Sequence, residues 1–383
     1  MIEMNLFDKS IYENPFDVFD LWRNSSPVVH DPAHNTYAIT KFNDVISAFR
    51  DAETFTSSLG ARANSIPQPF MIDADDPEHR NQRRIVERAF TPGQMAFYEN
   101  SIRKMVIDKI EQFPRGEVFD IVKFLTHPLP VMTVGKILGV PESDFSMLQK
   151  WGELMVEGAD GWENVTTDVV DAVISWFTYF DEYAKYKRSR SDGDLISILL
   201  RAHYQENLIT YEQARGNALA LLVGGNETAR YFLTSSLLQI IKRKDIYNLD
   251  YISTNLNKII NESVRYSSPA VSSIRHTTRD VNVSGFAIPQ KSQVMLMILS
   301  ANMDEEIYSE PMEFNPNRDS VNHVGFGFGI HYCLGSNLAK IQLKVVMEEL
   351  IKRVPDAVIP DGFHPDMKFS TFLRGPKNLE VFI

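Results

Sequence analysis

The chain carries one cysteine among its 383 residues, and its surroundings are those of a reactive thiolate. Cys333 closes the run Gly325-Phe326-Gly327-Phe328-Gly329-Ile330-His331-Tyr332-Cys333-Leu334-Gly335, and the pattern after it predicts an amphipathic helix over Leu334 to Arg353. A cysteine at a helix start meets unpaired amide N–H groups and the positive end of the helix dipole, both of which favour thiolate. A thiolate held in a tight, glycine-lined loop suits the axial position of haem iron. Two other readings stand beside this one. The residue could be a buried filler cysteine, or Cys333, His331 and His323 could serve a zinc or gas-sensing module that is not an enzyme. Three ligands crowded into eleven residues lack the paired spacing of structural zinc. The glycines do not fit a dinucleotide fingerprint either, since no third glycine follows at the required spacing and no strand precedes them.

Other residues could do chemistry at a distance from that loop. Glu262-Ser-Val-Arg265 lies in a helical pattern, and a spacing of three puts both side chains on one face. Taken alone it reads as an ordinary ion pair. The stretch from about Thr210 to Lys242 would form a helix about 45 Å long, with an all-round apolar centre at Ala218-Leu-Ala-Leu-Leu-Val223 that marks burial on every side. Into that centre comes Gly224-Gly225-Asn226-Glu227-Thr228. Two glycines cost roughly 2 kcal/mol of helix propensity, and Asn, Glu and Thr are costly to bury. The segment is either a break between two ordinary helices or a distortion beside a buried polar site.

Phe326-x-x-Gly329-x-x-x-Cys333-x-Gly335 resembles the haem-binding signature of the cytochrome P450 family at all four fixed positions. His331 sits where many soluble members have a histidine that contacts a haem propionate. Upstream, Glu262 and Arg265 resemble the family's Glu-x-x-Arg pair, and Phe314-x-Pro316-x-Arg318 resembles the segment whose arginine completes a buried structural triad. Gly224 to Thr228 resembles the oxygen-activation segment, with Gly225 against the haem and Glu227-Thr228 as its acid–alcohol pair. His79 and Arg83, four apart in Asp76-Pro-Glu-His-Arg-Asn-Gln-Arg83, and Arg275 resemble the family's propionate partners.

The resemblance implies haem b with an axial thiolate from Cys333. It implies a monooxygenase that places one atom of dioxygen in a small apolar organic substrate and releases the other as water. Thr228, backed by Glu227 or water, would pass protons, and a separate ferredoxin-type protein would supply electrons. A peroxide-driven peroxygenase or isomerase is the alternative within the family, and the intact acid–alcohol pair argues against it. Substrate contacts are expected from Ile66 to Met71, from helices near 150–180, from Leu221 to Gly225 and from Val271 to Ile274.

The elements needed to position these residues are mostly helices. Helical patterns fall near 77–90, 97–113, 143–157, 165–188 and 211–241, broken at Thr91-Pro92-Gly93, Pro114, Gly139-Val-Pro141 and Ser191-Asp-Gly193. Strand signals cluster towards the ends: Pro27 to His30 and Thr36 to Thr40 around the turn Asp31 to Asn35, a hairpin over Val281 to Pro289 turning at Ser284-Gly285, and Ser292 to Leu299. Ala357 to Ile359 and Leu379 to Ile383 look like closing strands. This is no βαβ alternation. It predicts a mainly α chain with a small β region (α+β), and by resemblance a cytochrome P450-like fold enclosing one haem. The whole of 1–383 reads as a single domain, β-rich near 27–40, 270–299 and 355–383, helical over about 76–268 and 333–353.

Composition narrows the classes. With 39 basic and 50 acidic residues the net charge is −11, which argues against nucleic-acid binding. The basic run Lys185-Tyr-Lys-Arg-Ser-Arg190 reads as a solvated helix end. No run approaches the ~18 apolar residues of a membrane span, and MIEMNLFDKSIYENPFDVFD lacks a signal peptide's basic and apolar regions. The expectation is a cytoplasmic chain without a membrane anchor. One cysteine permits no intrachain disulfide, so packing carries the stability.

Overall fold

The computed structural model describes residues 1–63, 66–159, 164–187, 192–318 and 322–383. Its contacts divide into two compact units, and the architecture is helical with small sheets, the class that the sequence patterns predict.

The first unit comprises Met1–Thr56, Arg103–Thr126 and Arg230–Ile383. Its main sheet has six strands, in the order Ile2–Glu3, Val28–Asp31, Thr36–Ile39, Gln293–Leu296, Ser273–Thr277 and Phe55–Thr56. The predicted hairpin around Asp31 to Asn35 forms, with Asn35 in the left-handed region at φ 47°. Thr36–Ile39 then pairs in parallel with Gln293–Leu296, joining the early and late parts of the chain. All four residues of each of these strands are buried, the pattern of strands covered on both faces. The helix Phe42–Arg50 packs Phe42, Val45 and Phe49 into the same core as Ile39 and Leu296.

Two expectations need correction here. The strand predicted over Ser292 to Leu299 ends at Leu296, and Ile298–Ala301 turns into a short helix. The C-terminal strand Glu380–Phe382 does not join the main sheet; it pairs with Val118–Asp120, and Val358 forms only a bridge to Phe382. An unpredicted hairpin, Met367–Phe369 with Arg374–Pro376, forms between them in the sequence. The Ser284-Gly285 turn is as predicted, with both residues at positive φ (48° and 85°), the geometry of a two-residue hairpin loop.

The second unit comprises Ser57–Ile102 and His127–Ala229. It holds the helices Glu78–Val86, Pro128–Leu138, Phe145–Gly158, Thr167–Lys187, Leu195–Tyr204 and Tyr211–Gly225. The expected break at Thr91-Pro92-Gly93 is present, with Thr91 extended and Pro92 beginning the next helix, Pro92–Ile110, where its missing N–H costs nothing. Pro128–Leu138 ends at Gly139, which has a left-handed φ of 79° and where a Cβ would stand 2.3 Å from the Asp194 side chain, so no other residue fits. Tyr211–Gly225 starts with a reciprocal capping box between Thr210 and Gln213.

The basic run is not a wholly solvated end. Lys187 is buried, its ammonium 2.8 Å from Asp192 and 2.6 Å from Asp194, while Arg188 to Arg190 and the predicted break residue Ser191 lie outside the described residues. Among the described residues no helix is long and apolar enough to cross a membrane.

Candidate functional site

The cysteine loop is fixed by its own backbone in the first unit. Gly327 N donates to Val324 O at 2.8 Å, and Cys333 N donates to Phe326 O at 2.9 Å, folding the loop back on itself. Gly329 has a φ of 70°, and a Cβ there would stand 2.4 Å from the backbone oxygen of Phe49, so only glycine fits. A Cβ on Gly325 would likewise meet Val264 O at 2.6 Å, which seats the loop directly on the Glu262–Arg265 helix. Gly335 caps the helix Ser336–Arg353, two residues later than the sequence pattern placed its start. Cys333 is exposed and precedes that N-terminus. The ring of Phe326 lies 6.2 Å from that of Tyr332 and 6.5 Å from that of Phe232, and the Lys340 ammonium stands 5.7 Å from its centre. His323 packs edge-on against the same ring, and burial, then the nearby Lys340 charge, pushes its imidazole down to about 4.

What holds this loop in place starts at Glu262 and Arg265, both wholly buried on the helix Leu249–Tyr266. Arg265 donates to both carboxylate oxygens, Nε to Oε2 at 2.8 Å and a terminal nitrogen to Oε1 at 2.7 Å. Its remaining donors reach the carbonyls of Asn302, Pro311 and Glu313 at 2.9, 2.8 and 3.0 Å. Arg318 adds a contact to Glu262 at 3.2 Å and donates to the carbonyls of Glu310 and Glu313. Asn302 links this cluster to the cysteine loop, since its Oδ1 accepts from Val324 N at 2.9 Å. No local pattern marks Asn302 in the sequence, because it acts across 37 residues to Arg265 and 22 to Val324.

Arg275, in the strand Ser273–Thr277, is buried in the same unit. Its guanidinium donates to Ser273 Oγ at 3.0 Å and Ile274 O at 2.6 Å and stands 5.4 Å from the centre of the Phe49 ring. Of the expected substrate contacts, Val271 and Ile274 are buried, Ile66 is largely exposed, and 160–163 lie outside the described residues.

In the second unit the long apolar helix does break. Tyr211–Gly225 ends, Asn226 leaves the helical region at φ −94° and ψ −82°, and Glu227–Lys242 begins. The two glycines meet different surroundings. A Cβ on Gly224 would touch nothing within 4 Å, whereas one on Gly225 would stand 2.7 Å from Val134. Thr228 Oγ donates to Gly224 O at 2.5 Å, taking up a carbonyl that the break leaves without a helical partner. Glu227 is buried, and its carboxylate groups with His127 and Glu153, one ligand-type atom of each lying within 4.8 Å of the others. Neither His127 nor Glu153 is marked by the sequence pattern. Asn226 is wholly buried beside Gly152, and neither end of its amide has a hydrogen-bond partner among the described residues. His79 is buried on Glu78–Val86, and burial, partly offset by Asp76, lowers its affinity for a proton. Arg83, one turn on, donates to Glu87 at 2.8 Å.

These residues fit a haem on chemical grounds. The first unit offers an exposed thiol before a helix N-terminus, with Gly335 so placed that its Cβ would lie 3.9 Å from Cys333 Sγ. It also offers a buried arginine for a carboxylate. The second unit offers an open helix face at Gly224 with a hydroxyl one turn away. By contrast, Cys333, His331 and His323 form no converged metal-ligand group among the described residues.

Comparison with known proteins decides the family. The cytochrome P450 family model matches residues 254–382. Cytochrome P450 109 of Bacillus spizizenii is 31% identical over 386 residues, covering 96% of this chain and 92% of that protein. The chain belongs to the cytochrome P450 family. The steroid C26-monooxygenase of Mycolicibacterium smegmatis is 29% identical over 94% of this chain and 90% of its own. The crystal structure of CYP109E1 from Bacillus megaterium in complex with testosterone superposes with a TM-score of 0.86 at 29% identity, covering 96% of this chain and 97% of that one. This cytochrome P450 is therefore an oxidoreductase of the monooxygenase class, and its family holds haem b through an axial cysteine thiolate.

Proposed function

We propose that this P450 works in the cytoplasm as a haem-thiolate monooxygenase on a small apolar organic substrate, with electrons from a ferredoxin-type partner. The observation that carries the reading is the placement of the chain's one cysteine, exposed in a backbone-locked loop before the Ser336–Arg353 helix. Bound haem supplies the activation of dioxygen and the transfer of one oxygen atom to a C–H bond. Cys333 supplies the negative sulfur, which the helix start keeps deprotonated and the rigid loop keeps in one position. Arg275, His331, His79 and Arg83 are the groups to bind propionates, with Phe326, Gly335 and the open helix face at Gly224, beside Gly225, giving the close approach. Thr228 holds a proton at Oγ: its hydroxyl donates to Gly224 O at rest and keeps two acceptor sites for a proton donor such as water. Glu227, the residue before it, restores the proton that Thr228 passes on. Glu262, Arg265 and Arg318 take no part in the chemistry and hold the thiolate loop through Asn302.

The named activity of one relative and the ligand bound in one solved structure are both steroidal. We therefore infer an apolar substrate of terpenoid or steroid character as the first class to screen. Reduced, carbon monoxide-treated wild-type protein is expected to show the red-shifted Soret band of thiolate ligation, and Cys333→His to lack it. A band unchanged in the variant would remove Cys333 as the ligand. Loss of haem from both forms would count against the reading as a whole.

A further inference from the structure

We propose that His127 and Glu153 form the solvent-side pair of a proton route that ends on Glu227. The inference rests on the monooxygenase reading and assigns its proton supply to residues that no motif marks. Glu227 is buried, with 5% of its surface exposed, so it cannot exchange protons freely with bulk water. Its neighbours can. The side chains of His127 and Glu153 are 27% and 36% exposed, and His127 Nε2 lies 2.5 Å from Glu153 Oε1.

Three elements converge on this cluster. His127 immediately precedes the Pro128–Leu138 helix, Glu153 lies on Phe145–Gly158, and Glu227 opens Glu227–Lys242. The Phe145–Gly158 helix turns one polar face to it. Gln149, Gly152 and Glu153 stand at i, i+3 and i+4, the spacing of one helix face. Gly152 approaches Asn226, leaving a Cβ only 2.8 Å from its amide. Gln149 Nε2 donates to Glu153 Oε1 at 3.0 Å, which fixes the carboxylate oxygen that His127 faces. An ion pair built only for stability would not need a buried third carboxylate. Here that third group is the residue before Thr228.

The proton balance closes over one cycle. Glu227 gives a proton towards Thr228 and takes one from the His127 imidazolium. His127 recovers its proton from Glu153, and Glu153, a third exposed, takes one from bulk water, so every group returns to its starting state. The acceptor and donor roles of the imidazole are interchangeable, which suits it to relay rather than storage.

The test uses haem-loaded full-length protein with a substrate that shifts the haem spectrum, in wild type, Thr228→Val, His127→Gln and Glu153→Gln. The amide replacements keep hydrogen-bonding shape but cannot hand on a proton. Product per reducing equivalent is expected to fall about tenfold in His127→Gln and Glu153→Gln, with peroxide making up the difference. That is less than the ~10²-fold worth of a positioned acid–base group, because water can stand in at the surface. The substrate-induced shift and the reduced carbon monoxide spectrum should stay as in wild type. A readout without turnover accompanies these: in the diamagnetic carbon monoxide form at one fixed pH, the ¹⁵N signals of the His127 ring are expected to move in Glu227→Gln. Unmoved ring signals, or wild-type coupling in both amide variants while Thr228→Val uncouples, would overturn the route alone. Wild-type coupling in Thr228→Val as well would bring down the oxygen-activation reading on which the route depends.

Discussion

His323 is a base held away from its proton, and that has a consequence for stability. Burial, reinforced by the Lys340 charge, lowers its imidazole from 6.5 to about 4. The unfolded chain therefore binds this proton at a higher pH than the folded one. The contribution is fully present above pH 6.5 and is lost as pH falls towards about 4, with a slope of at most about 1.4 kcal/mol per pH unit for one proton. Denaturant unfolding at pH 7.5 and at pH 5 should show wild type losing more stability between the two than His323→Gln. Equal losses would mean that His323 is not the group kept neutral. At this scale the sequence was most legible where residue identity is rare. A lone cysteine between glycines declares itself, whereas Asn302, His127 and Glu153 act through contacts between distant segments that no local pattern records.

Elements were legible where period and punctuation agree. Thr167–Lys187 and the break after Gly225 could be read because a sustained apolar stripe and paired glycines are strong local signals. The strand end at Leu296 could not, since Val294 to Leu299 is an apolar run compatible with strand or helix until the neighbouring strands limit pairing to four residues. The tail strand's partner, Val118–Asp120, is likewise set by contacts far apart in the chain. The break itself gives an element-scale prediction. Gly224→Ala meets open space within a helical turn and should keep or raise the unfolding midpoint, by up to about 1 kcal/mol of helix propensity. Gly225→Ala places a methyl 2.7 Å from Val134 and should cost about 1–3 kcal/mol as overpacking. The midpoints of the two variants, measured side by side, check the contrast. Equal effects would mean that the two glycines do not face different surroundings.

For the whole molecule, a net charge of −11 opposes the docking of an acidic electron donor, so the local distribution of charge has to decide. Basic residues that could attract such a donor include Arg83, Arg84, Arg88, Lys340 and Lys344. The fold reduces that set: Arg83 pairs with Glu87 at 2.8 Å and Arg88 with Glu206 at 2.7 Å, so much of their field is cancelled close by. Lys340 is placed differently, on the helix that follows the cysteine and over the ring of Phe326 in the cysteine loop itself. A partner that delivers electrons close to the thiolate meets that charge at short range, where salt screens least. Reduction of the P450 by an acidic ferredoxin should therefore slow as salt rises, with the loss in association rate rather than in the maximal rate. Lys340→Glu should slow it several-fold at low salt and converge on wild type at high salt, where the Debye length falls to about 3 Å at 1 M. Arg88→Glu, already offset by Glu206, should change it less. Stopped-flow reduction across a salt series separates these cases, and reduction indifferent both to salt and to Lys340→Glu would place electron delivery elsewhere on the molecule.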